Sequence, residues 1–267
     1  MIGNPKNANK PYSFLTVYYL IETNTRVQKQ SDGRVSEKTC IHLNEGITED
    51  VLNIWYSQMR GKEQIMIKSK EDYLFFLEAD RIALNTQKKR PSIFQDEIWK
   101  FQRCLRKVEF LENCNKNKLS RLQAKYKLHK LSVQLGFTIP PNVFGAGLSI
   151  AHRGPIVIHS RVRVGENCHI YHGVSIGDTR STVDKEFPVI GNNVIICPYA
   201  NISGPIVIAD GIVVGANSYV NKSFTEPDIT IAGCPAKKIS NKSSIDMWIR
   251  ATDILRKRKT DGFNRQI

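Results

Sequence analysis

The stretch "VIGNNVIICPYANISGPIVIADGIVVGANSYV", residues 189–220, decides how the chain is read. An aliphatic residue returns every six places, at Ile190, Ile196, Ile202, Ile208, Val214 and Val220. Four places after each of the first five comes a second small or apolar residue: Val194, Ala200, Ile206, Ile212 and Ser218. A period of six fits neither the 3.6-residue helix nor the alternating strand. It is the signature of a hexapeptide β-helix, in which stacked repeats share one continuous core.

Working outward, the same register holds upstream at Ile158, Val164, Ile170 and Ile176, with Val162, Cys168 and Val174 as the second set. Gly follows the aliphatic position at 165, 177, 191 and 215. Coils of this kind lie roughly 4.8 Å apart, as paired strands do. Cys168 falls on an inward corner and reads as a core residue. The polar stretch "DTRSTVDKEFPV", residues 178–189, breaks the register; a loop ejected from a regular solenoid is a candidate for function. Extending the register backward by six from Ile158 reaches His152, in "SIAHRGPIVI". An imidazole where the ladder expects an aliphatic side chain calls for a reason: a packed core residue, a metal ligand, or a base, for which its unperturbed pKa near neutrality is suited.

Upstream of residue 137 the pattern is helical. "SKEDYLFFLEADRIAL" opens with Ser69 and Asp72, a capping pair. A second helix is expected with Pro91 near its start and Phe94, Ile98, Phe101, Leu105 and Val108 on its packing face. A third carries Leu119, Leu122, Tyr126, Leu128, Leu131 and Leu135 on a packing face and ends at Gly136. Residues 13–66 read as a mixed unit: β-rich runs "SFLTVYYLIE" and "KTCIHL" around a turn at Asp32-Gly33, a short helix opened by Thr48, and a strand at "QIMI". The expected organisation is a small mixed unit at 1–68, a helical segment at 69–136, the β-helix at 137–240 and a C-terminal helical tail at 241–267. The fold class is mainly β.

Composition bounds the function. The chain of 267 residues is 41% hydrophobic and carries 39 Lys and Arg against 25 Asp and Glu, a net charge of +14. Such a balance favours anionic partners. The run "RKRK" at 256–259 reads as a solvated helix end, with peripheral contact to an anionic surface as its other reading. No nucleic-acid partner is implied. The polar start "MIGNPKNANK" has no secretory apolar core, and "FLTVYYLI" is too short to cross a bilayer, so a cytoplasmic protein is expected. Six scattered cysteines without a CxxC pair fit reduced thiols.

The repeats, "IAHRG" and "IAGCPAKKI" together resemble the left-handed β-helix acyltransferases, in particular the serine acetyltransferase-like group. "IPPNVFGAGLSIAHRGPIVI", "ANSYVNKSFTEPDITIAGCPAKKI" and "DEIWKFQRCLRK" resemble its branch that modifies capsular and exopolysaccharide glycans. The resemblance implies a left-handed coil, trimers that could pair further through the helices, and acetyl-CoA as co-substrate bound between prisms. It implies His152 as the base that activates an acceptor hydroxyl. His172, two places off the column expected for His152, would orient it or touch the acceptor. Serine acetyltransferases place an acid directly before the catalytic histidine, where this chain has Ala151. They place a second histidine in the ejected loop, where this chain has Phe187. Both positions touch the acceptor in that family, and their replacement favours a sugar hydroxyl over serine. Glu166 or Asp178 could replace the missing acid. Asp80 of "LEADRIAL" resembles an acceptor-contacting acid. Thr179 matches a position near the thioester. Ala200, Ala216 and Ser218 offer small columns for the pantetheine arm, and Lys237 and Lys238 could meet its phosphates. His159 and His169 read as outward and solvated, His42 and His129 as structural. No metal is implied, because the paired histidines of the zinc carbonic anhydrase branch are missing. The leading expectation is an acetyl-CoA-dependent O-acetyltransferase acting on a surface-polysaccharide sugar. The alternatives are a serine O-acetyltransferase and a non-catalytic scaffold.

Overall fold

Every rung of the six-residue ladder leaves water. Ile158, Val164, Ile170, Ile176, Ile190, Ile196, Ile202, Ile208, Val214 and Val220 are all buried, and so are Val162, Cys168, Val174, Val194, Ala200, Ile206, Ile212 and Ser218. The computed structural model describes residues 19–29, 35–43, 66–114, 117–177 and 187–264. In it the rungs lie on three parallel sheets that wall a prism. One face stacks Ser149–Ile150, His169–Ile170, Ile195–Ile196, Val213–Val214 and Thr230–Gly233. A second stacks Phe137–Thr138, Ile156–Ile158, Ser175–Gly177, Asn201–Ser203 and Tyr219–Val220, and a third Arg163–Val164, Val189–Ile190 and Val207–Ile208. The fold is the left-handed parallel β-helix, with helices on its N-terminal side.

Sequence spacing explains the pairing. Below the ejected loop Val157 pairs with Ser175, and above it Ile195 pairs with Val213, one 18-residue coil apart. Across the loop the offset grows: Ile176 pairs with Ile202 and Ile170 with Ile196. The loop therefore leaves the wall without disturbing the stack. Asn167 and Asn193 turn corners with φ of 55° and 56°, a region asparagine tolerates better than branched residues do. Their side chains bond each other from coil to coil, Nδ2 of Asn167 donating to Oδ1 of Asn193 at 2.9 Å. After the last parallel strand the chain reverses, and Ala236–Ser240 pairs antiparallel with Thr230–Gly233.

The helical segment begins with α1 (Lys70–Ala83), and Ser69 caps it by accepting from the Asp72 amide, as the sequence predicts. Helix α2 (Glu97–Asn113) starts later than expected, after Asp96; Pro91 and Phe94 lie before it, and Phe94 is exposed. Helix α3 (Lys118–Leu135) ends at Gly136 with φ 79°. Its expected packing face is corrected: Leu119, Leu122 and Tyr126 are exposed, and the helix buries Ala124, Leu128 and Leu135. Met66 and Ile67 are irregular, not part of a strand.

A buried ion cluster fastens helices to prism. The Arg106 guanidinium of α2 donates to both Asp80 oxygens of α1, to Glu109, and to the carbonyls of Phe144 and Gly145. Asp80 also accepts from the amides of Gly147 and Leu148. Every donor and acceptor of this cluster is thereby matched, which is the condition for tolerating charge in a core. Helix α4 (Ala251–Asn264) closes on the prism through a two-way bond between Thr252 and Asn167 and through Arg256, which grips Glu166 at 2.7 and 2.8 Å.

The N-terminal residues form a separate unit, bounded at Lys62. Its described part is a hairpin of β1 (Tyr19–Lys29) and β2 (Val35–Leu43), paired antiparallel as the two β-rich runs suggested. The expected turn at Asp32-Gly33 and the helix at Thr48 lie outside the described residues. So does the role of His42, whose side chain falls there too. No helix among the described residues is long and apolar enough to cross a membrane.

Candidate active site

The strand before His152 is held from behind by α2. Gln102 donates to the Leu148 carbonyl at 2.6 Å and accepts from the Ile150 amide. Ile150 pairs with Ile170, 20 residues on. This corrects the register read from the sequence. The corner belongs to Ile150, and eight residues, not six, separate it from the corner at Ile158. His152 is not a ladder residue; it sits on the lengthened turn, exposed to solvent.

The shift brings two histidines together. His152 lies beside His172, ring centroids 5.8 Å apart and planes at 70°. The turn passes close over His172: a Cβ on Gly154 would lie 3.1 Å from the His172 Cβ, and Gly154 has φ 131°. Only glycine accepts that conformation without strain. Arg153 anchors the turn to α2 through Glu97 at 2.6 Å. Tyr171 stands 5.9 Å from His152, and Tyr199 packs edge-on against His172 at 5.2 Å. The Nδ1 of His172 is buried and has no hydrogen-bond partner among the described residues. The sequence reading missed both tyrosines; the extra apolar residue in "GPIVI", with Ile156 and Ile158 both inward, was the available sign of the longer turn.

His169 is a further correction. It is buried, not solvated, and stacks under Trp248 at 3.6 Å with Tyr171 against its edge at 4.8 Å. Neither ring nitrogen has a partner among the described residues. Burial pushes its pKa down to about 4; the His152 charge adds to the shift and the Ser149 backbone opposes it. His169 is thus neutral at neutral pH.

The other expected residues divide. Ala151 is next to His152 and half-buried. Phe187 is not at the histidine pair; it stacks on His159 at 4.0 Å, with the Arg161 guanidinium 4.8 Å from its ring centre. Asp80 is sealed in the ion cluster, and at 1% exposure it has no surface to offer an acceptor. Glu166 holds Arg256, not His152. Ala200 and Ser218 are core corners without room for a ligand, and the Ser218 hydroxyl accepts from the Gly233 amide. Ala216 is exposed. Lys237 and Lys238 project from the reversing strand, Lys238 toward Glu226 at 2.5 Å. Thr179 and Asp178 lie outside the described residues. Cys168 is a buried thiol whose pKa burial raises. His129 is exposed on α3.

No family model matches the chain. A serine acetyltransferase of Mycobacterium tuberculosis is 34% identical over 121 residues, 45% of this chain and 52% of that protein. The chain spans about half to three-fifths of the length of the first curated relatives it matches. Among solved structures, a serine acetyltransferase from Neisseria gonorrhoeae superposes with TM-score 0.54 and 25% identity, over 67% of this chain and 72% of that one. A serine acetyltransferase from Brucella abortus, solved in complex with coenzyme A, shares the fold with TM-score 0.51 and 24% identity, over 74% of this chain and 76% of that one. The helix-and-prism part of this chain is thus similar in sequence and in fold to serine acetyltransferases.

Proposed function

We propose that the chain is an acetyl-CoA-dependent O-acetyltransferase in which His152 is the general base. The observation that carries this reading is an exposed imidazole held beside a second one on a serine acetyltransferase-like prism. His152 takes the proton of the acceptor hydroxyl as its oxygen attacks the thioester carbonyl carbon. The C–S bond then breaks, the acetyl group stays on the acceptor oxygen, and the CoA thiolate leaves with the proton that His152 returns. His172, wedged between His152 and Tyr199, orients the base. A trimer, with CoA between prisms and Lys237, Lys238 and Thr179 near it, is part of the same proposal.

The names of the relatives make L-serine the first acceptor to consider. A second reading, a sugar hydroxyl of a surface polysaccharide, is favoured by Ala151 and Phe187. Neither side chain can pair with the charged groups of an amino acid, and Phe187 is already stacked on His159. A cytoplasmic location suits either acceptor.

The test follows CoA thiol release by the purified full chain with L-serine or with glycan acceptors. His152→Ala should lower kcat/KM by about 10²–10⁴-fold. Undiminished turnover in that variant refutes the base. Turnover with serine alone removes the sugar reading, and turnover with a glycan alone removes serine.

A further inference from the structure

On the helical side of the molecule, α2 and α3 pack against each other, yet part of their contact is polar. Lys100, Arg103 and Lys107 recur at three- and four-residue spacing on α2, and Ser120, Gln123 and Lys127 do so on α3. These positions form one stripe on each helix. Between the stripes lies a cavity of about 410 Å³, within the usual range for small-molecule sites. Tyr73, Cys104, Ala124 and Pro91 complete its wall, and no carboxylate lines it. Among the described residues Arg103, Lys107 and Lys127 make no ion pair, and Lys100 donates to the Ile93 carbonyl at 2.6 Å. The sequence run Lys88-Lys89-Arg90 leads to the rim at Pro91.

The cations act on one spot. The field of Arg103 reaches the Tyr73 hydroxyl, and those of Lys127 and Lys107 reach the Cys104 thiol, in each case opposing the upward push of burial. Four like charges around one hollow raise a local positive potential that favours an anion among them. An arginine fork flanked by lysines matches phosphate oxygens in shape and charge. The Tyr73 ring, Cys104 and Ala124 add apolar wall beside the charges, against which an organic body can lie.

We propose that this groove binds a diphosphate-bearing small molecule, with the phosphates on Arg103, Lys107 and Lys127 and an apolar or aromatic body against Tyr73. The site is on different elements from the His152 turn and does not depend on the acetyltransferase reading.

Calorimetric titration of the full chain with inorganic pyrophosphate and with ADP, at physiological ionic strength, tests it. The triple substitution Arg103→Gln, Lys107→Gln, Lys127→Gln affects half-exposed or exposed side chains, and circular dichroism checks that it folds. One site per chain should weaken at least tenfold for both probes in this variant, and ADP should bind the parent more tightly than pyrophosphate does. A Lys237→Gln, Lys238→Gln control should leave that site unchanged. The proposal is overturned if the triple variant binds like the parent, if only the control variant loses binding, if ADP gains nothing over pyrophosphate, or if the parent binds neither.

Discussion

His169→Phe separates charge from packing at the centre of the histidine cluster. In the folded protein the imidazole has a pKa of about 4, against the ordinary value of 6.5. The difference of about 2.5 units is worth roughly 3 kcal/mol at about 1.4 kcal/mol per unit. The sign follows from which state binds the proton first. As pH falls below 6.5 the unfolded chain protonates while the folded chain does not, so stability drops. The contribution is whole above pH 6.5 and is lost as pH falls through about 4. Phenylalanine keeps a ring between Trp248 and Tyr171 and cannot titrate. It also removes two buried nitrogens that lack partners, each of which costs about 1–3 kcal/mol when unsatisfied. We therefore expect His169→Phe to match or exceed the parent in stability at neutral pH, and its advantage to grow by about 3 kcal/mol on acidification to pH 4. Urea unfolding midpoints at fixed chain concentration across this range measure both effects. Parallel pH profiles for parent and variant would refute the buried neutral imidazole, and a marked loss of stability at neutral pH would show that the nitrogens have partners.

Three further outcomes follow from the packing. Arg106→Met leaves the Asp80 and Glu109 carboxylates buried without a counter-charge and should destabilise by about 3–5 kcal/mol in urea unfolding, with Asp80→Asn added to the same chain recovering part of the loss. Gly154→Ala forces a strained φ against His172 and should lower the thermal midpoint by the equivalent of about 1–3 kcal/mol, with a fall in kcat of the proposed reaction larger than the change in KM. Arg256→Gln breaks a partly exposed pair with Glu166, so its effect should stay below about 1 kcal/mol and vanish in high salt, as melting in low and high salt can check.

The prism was legible because its period belongs to no other regular structure, and each of its rungs is inward in the fold. The helix ends at Ser69 and Gly136 were legible for a local reason, since capping depends on a few adjacent residues. What escaped was set by distant partners. The register slip at His152 arises from two extra residues in a turn, which leave a plausible six-residue spacing to Ile158 while shifting the true corner to Ile150. Asp80 looked like a site acid because the sequence does not show Arg106 closing over it from another helix. His169 looked outward because alternation along its strand points it away from the prism axis; the cover comes from Trp248, 79 residues later. Leu119, Leu122 and Tyr126 carried helical spacing, but the adjoining elements take the opposite side of α3.

The chain reversal after the last coil has a consequence for solubility. A stack of parallel coils ends in a row of open backbone donors and acceptors, and a second copy could in principle continue it indefinitely. Here the final strand, Ala236–Ser240, runs antiparallel to the stack, and its Lys237 and Lys238 are exposed. An incoming coil would meet a template of the wrong direction and the Lys237 charge. On this face of the prism the reversal thus works as a stopper against fibre growth, which a repeat architecture needs wherever its repetition ends.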